Sequence, residues 1–100
     1  MIYVKKHFSG NKIVVGVCDS DLIGKKFSQD GKAITVSEHF FKGEIVSKEK
    51  AAALIEEAHS INVIGKEAIE ICLDLGVISK ENVFSIDNVP YAIIFEMNPE

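Results

Sequence analysis

The sequence predicts an α+β fold, a mainly antiparallel sheet built from hairpins with two principal helices packed on one face. Three observations carry this. Apolar and polar side chains alternate on either side of Gly10-Asn11, the period of half-buried strands. Asp30-Gly31 separates a second pair of short alternating runs and is a dipeptide that suits two-residue hairpin turns. Residues 51–58 and 68–75 repeat apolar side chains at helical spacing around a short apolar run at 61–64, as two amphipathic helices joined by a buried strand would. Helix-linked strands often neighbour each other, so some parallel pairing is expected as well.

In chain order, residues 2–8 and 13–18 form the first hairpin. Its turn sets Val4 opposite Val17, Lys6 opposite Val15 and Phe8 opposite Ile13. That register gathers Ile2, Val4, Phe8, Ile13, Val15 and Val17 on one side, and a slip of one residue would scatter them. Tyr3, Lys5, His7, Val14, Gly16 and Cys18 take the other side, a mixture suited to a half-covered face. Residues 25–29 and 32–36 pair next, Phe27 against Ile34. Residues 37–43 hold two adjacent phenylalanines, which cannot both point inward from a strand; a single helical turn ended by Gly43 fits better.

A short strand is expected at residues 44–46. Ser47 then reads as an N-cap with Glu49 in the first turn, where a carboxylate favours the helix dipole. Ala51, Leu54, Ile55 and Ala58 make this helix's buried stripe. In the next helix Ala68, Ile71, Cys72 and Leu75 do so, and Gly76 stands where a left-handed C-cap residue belongs. Residues 83–86 and 91–95 read as two last strands, with Pro90 at a strand start or edge because proline cannot donate to a ladder.

The totals bound the function. One hundred residues with 47% hydrophobic content make one packed domain. No apolar run approaches the roughly 20 residues of a membrane span, and residues 1–4 read as strand rather than as a targeting segment, so the expectation is a cytoplasmic protein with no membrane partner. Cys18 and Cys72 have no metal-ligand spacing; reduced thiols are the natural reading, with a single disulfide left open. No metal site and no cofactor are expected, and the oligomeric state is open.

Residues 1–43 hold seven lysines against four acids, a net of +3, and residues 44–100 hold four lysines against eleven acids, a net of −7. There is no arginine, the residue suited to forked recognition of phosphates and bases. Sequence-specific nucleic-acid readout is therefore disfavoured, while general phosphate attraction is not. A lysine-biased composition without functional meaning explains the same counts.

The order of Gly24-Lys25-Lys26-Phe27, of residues 36–43, of Asn62-Val63-Ile64-Gly65-Lys66-Glu67-Ala68 and of Val89-Pro90 resembles the small archaeal family catalogued as domain of unknown function 424, across nearly the whole chain. The resemblance implies a stand-alone archaeal cytosolic protein with no assigned activity, in a family whose genes lie near translation genes. The family pattern carries a histidine and a glutamine after the proline, where this chain has Tyr91 and Ile93.

Four candidate sites follow from the residues. Gly65 and Lys66 open a helix whose N-terminal N–H groups can hold an anion, although one glycine is no fingerprint and can simply permit a tight turn. Glu38 beside His39 offers acid–base chemistry, or a solvated surface pair. Cys18, Asp19 and Asp21 invite a nucleophile or metal reading that adjacent acids and too few ligands oppose; there the plain reading is a turn. Tyr3, Lys5, His7, Lys25, Lys26 and Lys32, with Phe8 and Phe27, belong to two hairpins and suit single-stranded RNA or another partner, or serve only to blunt a sheet edge. The leading expectation is a non-enzymatic module that binds RNA or a ribosome-associated protein. Its rivals are a small enzyme or anionic-ligand binder using Glu38, His39, Gly65 and Lys66 around one pocket, and a self-associating assembly protein.

Overall fold

The computed structural model describes residues 1–97. Strands β1 (Ile2–Ser9) and β2 (Lys12–Asp19) turn at Gly10-Asn11 and pair in the expected register, Val4 with Val17 and Phe8 with Ile13. After a 3₁₀ turn at Ser20–Leu22 come β3 (Lys26–Gln29) and β4 (Lys32–Thr35), with Phe27 opposite Ile34. A single turn, α1 (Glu38–Phe41), precedes β5 (Glu44–Val46). Helix α2 (Lys48–Glu56), strand β6 (Ser60–Ile64) and helix α3 (Lys66–Leu75) follow, then β7 (Phe84–Ile86) and β8 (Val89–Ile94).

Six strands form one sheet in the order β5-β1-β2-β6-β8-β7, while β3 and β4 form a sheet of their own. Among the described residues only the β2–β6 pair is parallel. The capping signals act locally as expected. Ser47 Oγ accepts from Lys50 N and Ser37 Oγ from Phe40 N. Gly76, at φ 76°, ends α3 in the left-handed region, and Gly76 N and Val77 N donate back to the carbonyls of Leu73 and Cys72.

The last hairpin differs from the expectation at its turn. Asp87 and Asn88, at φ 51° and 65°, make the whole loop, and β8 starts at Val89 rather than at residue 91. Pro90 lies inside the strand, opposite Ser85. Its carbonyl accepts from Gly65 N just past the end of β6. N–H and C=O of one residue point to the same side of an antiparallel strand, so the missing donor faces a place where the neighbouring ladder has ended.

The two faces of the sheet are covered unequally. Ile2, Val4, Val15, Val17, Ile61 and Val63 pack against Ala51 and Ile55 of α2, Ala58 just beyond its end, and Ala68, Ile71 and Cys72 of α3. Each fully buried aliphatic side chain here contributes about 1.5–3 kcal/mol. Across the sheet, Cys18 and Ile64 lie under Val36 and Phe41, with Tyr3, Phe27, Ile34, Phe40 and Tyr91 partly buried around them. This is the half-covered face. Phe8 has the expected parity, but at the hairpin tip it is 71% exposed, with the Lys6 ammonium 6.0 Å from its ring centroid. Cys18 and Cys72 are buried on opposite faces and both are free.

Candidate functional site

On the half-covered face, α1 lies against β1 and β2 and is held there by its own unsatisfied carbonyls. The Glu38 carbonyl accepts from Lys42 N, but so short a helix leaves the carbonyls of His39 and Phe40 without intrahelical partners. The Lys5 ammonium donates to the carbonyl of His39 at 2.5 Å, and His7 Nε2 donates to that of Phe40 at 2.8 Å. The His7 ring stacks on Phe40, centroids 4.6 Å apart and planes 15° from parallel, and His39 stands 6.2 Å away. Gly16 makes the approach possible. A Cβ there would lie 2.8 Å from Phe40 Cε2 and 2.9 Å from the Phe40 carbonyl oxygen.

Phe40 is also one wall of an open groove of about 250 Å³. Ser37 and Phe41 share that wall, Ile34 and Thr35 of β4 close the top, and Tyr91 and Ile93 of β8 form the far side. Asn62 of β6 lies on this otherwise apolar floor, and its side-chain amide makes no hydrogen bond to any described residue. Among the described residues no fully buried side-chain nitrogen or oxygen lacks a partner, so this amide faces the open groove, where water or a ligand can pair with it. Beyond Tyr91 the face continues to Phe84, whose ring is 5.9 Å from that of Tyr91 and 60% exposed.

The structure gathers some of the residues singled out from sequence and separates others. Lys5, His7 and His39 cluster behind Phe40. Tyr3 is on the same face but packs into its buried cluster. Lys25 and Lys26 are exposed at the base of the β3–β4 hairpin and Lys32 at its tip, where Gln29 Oε1 accepts from Asp87 N at 2.6 Å.

Lys66 lines a different cleft, together with Asp19, Asp21, Leu22 and Pro90. Exposed Glu38 and His39 on α1 do not share it. The seat for an anion at the start of α3 is filled by the chain itself. Asp19 Oδ1 accepts from Ala68 N at 2.8 Å and Oδ2 from Glu67 N at 3.2 Å, while Gly65 leaves room for that carboxylate, which a Cβ would meet at 2.4 Å. The acids after Cys18 do more than form a turn, as Asp19 caps a helix 47 residues away. Burial, reinforced by Asp19 and Asp21, pushes the Cys18 thiol up to about 12, and burial alone does the same for Cys72. Neither is a ready nucleophile. Among the described residues no group of three His, Cys, Asp or Glu side chains is placed to hold a metal ion, and no helix is long and apolar enough to cross a membrane.

Sequence reasoning passed over Gly16 as a close-approach position, Asn62, and the groove wall of Phe40 and Tyr91. Two signals were present. A glycine inside a strand marks close packing, and Asn62 interrupts the apolar run 61–64.

A family model described as "Protein of unknown function (DUF424)" matches residues 7–97. The chain belongs to this family. Comparison with curated proteins gave no match. Among solved structures, the DUF424 chain is similar to a crystal structure of an uncharacterized conserved protein from Methanopyrus kandleri, with TM-score 0.84 and 25% identity over 99% of this chain and 94% of that one.

Proposed function

We propose that this DUF424 protein is a non-enzymatic binding module of the archaeal cytosol that engages RNA, free or within a ribosomal particle, through the half-covered face of its sheet. The observation that supports this most is how charge is sorted. Lys5, Lys25, Lys26, Lys32 and Lys42, with the imidazoles of His7 and His39 among them, belong to that face and the elements lying over it, against Asp21, Asp30, Glu38 and Asp87. The helix side carries Glu49, Glu56, Glu57, Glu67, Glu70 and Asp74 against Lys6, Lys48, Lys50 and Lys66. A net charge of −4 therefore does not describe the field that a polyanion meets on the groove side. Exposed aromatic and apolar side chains between the cations suit unpaired bases.

The test is fluorescence anisotropy with labelled single-stranded RNA over a salt series. Binding should weaken as salt rises, with a log–log slope of about 0.7 per phosphate contacted. Replacing Lys25 and Lys26 together with glutamine should flatten that slope. Absence of binding at low salt, together with absence from the ribosomal fractions of a native lysate, would overturn the reading.

A further inference from the structure

The groove between α1 and β8 has the chemistry to do more than attract phosphates. We infer that it seats one unpaired nucleobase of the bound strand, with the Asn62 amide on the base's hydrogen-bonding edge; the inference rests on the RNA reading above. Three features converge. The walls are apolar and include the Phe40 and Tyr91 rings, and the volume of about 250 Å³ admits a flat heterocycle but not a folded element. The floor presents one amide, a donor and an acceptor side by side, without a partner among the described residues. Every base edge offers a matching pair, and a side-chain amide can read such an edge with two hydrogen bonds. One cation, the Lys5 ammonium, lies behind one wall. Phe40 lines the groove on one side, while His7 stacks on it and Lys5 and His39 stand beyond. A nucleotide whose base enters the groove has the Lys5 ammonium behind that wall for its phosphate.

The occupant follows from charge complementarity. An apolar peptide side chain would fill the volume but leave the Asn62 amide dry and unpaired, at a cost. It would also make no use of the basic rim. A base satisfies the amide, and its phosphate lies on the lysine-bearing side of the sheet.

Two readouts on the intact protein test this. The first is the Asn62 side-chain NH₂ signal in ¹⁵N-labelled protein titrated with short single-stranded RNAs. The second is the affinity order across the four homopolymers, for wild type, Asn62→Ala and the isosteric Asn62→Asp, each first shown to be folded by circular dichroism. The expected result is a shifted Asn62 amide and a preference of about 10-fold or more for one homopolymer, lost in both variants while overall salt-sensitive binding persists. Binding without base preference, or with an Asn62 amide that does not move, would overturn the base seat and leave the RNA reading intact. Failure of any RNA to bind would overturn both.

Discussion

Gly16 and Gly43 show how much of this surface depends on single missing methyl groups. A Cβ at Gly43 would meet the Val4 carbonyl at 2.2 Å and Lys5 Cα at 2.8 Å, both backbone atoms, whereas one at Gly16 would meet chiefly the Phe40 ring edge and carbonyl. A ring on a short helix can shift; a paired strand cannot. Gly16→Ala should therefore lower stability by about 1–3 kcal/mol, the usual cost of forced overpacking, and Gly43→Ala should cost more. Urea midpoints check the order. In Gly16→Ala the His7 ring protons should also lose the ring-current shift that stacking on Phe40 gives them; an unchanged His7 spectrum would mean that Phe40 does not depend on the glycine. The buried thiols give a second outcome at this scale. With Cys18 and Cys72 held up near 12, almost no thiolate exists at pH 8. A disulfide reagent should label neither until denaturant is added, and rapid labelling of native protein would contradict their burial.

At the scale of elements, the start of α3 is set by Gly65 next to it and by two groups from distant parts of the chain: the Asp19 carboxylate, and the N-terminal amine, which donates to Glu67 Oε1 at 2.8 Å. Asp19→Ala should cost about 1 kcal/mol, as loss of an N-terminal cap does. Gly65→Ala should cost more in the native background than in Asp19→Ala, because part of its penalty is collision with that carboxylate and part is its φ of 114°. A double-mutant cycle by chemical denaturation measures the difference, and additive costs would show that the collision is relieved elsewhere. The amine's pKa is raised chiefly by its hydrogen bond to Glu67. Its contribution to stability is therefore complete below the unfolded amine's pKa and lost as pH rises through the folded one. Glu67→Gln should bring the folded value down towards the unfolded one in an NMR titration. This junction also marks where the sequence stopped being readable. Gly10-Asn11, Asp30-Gly31, Ser47 and Gly76 announce their structures because each decision is made within four or five residues. Asp19 capping Ala68, and Gly16 admitting Phe40, are agreements between segments that come together only after folding. The last turn comes out shorter than the sequence suggests for a local reason: proline extends the apparent break, while Asp87-Asn88 alone makes a two-residue loop that adopts left-handed φ without glycine.

For the whole molecule, the inequality of its two cores has a dynamic consequence. Fifteen buried residues bind the sheet to α2 and α3, against four beneath the β3–β4 hairpin and α1. The hairpin shares no ladder with the main sheet; Phe27, Ile34 and Val36 hold it from below, and the Gln29–Asp87 hydrogen bond joins its tip to β7–β8. Segments with few buried apolar contacts open at less than the global free energy. Hydrogen exchange should therefore be slowest in β2 and β6 at the sheet centre, with the paired amides of β3 and β4 exchanging together and much faster. Phe27→Ala removes a large ring that packs against the small core alone. It should speed hairpin exchange further while the β2 and β6 amides change little. Equal protection of hairpin and sheet would show that the two cores unfold as one. Because Ile34 and Thr35 of β4 close the top of the groove, the same opening widens the proposed base seat, and RNA that fills the groove should slow exchange in β3 and β4 more than anywhere else in the chain.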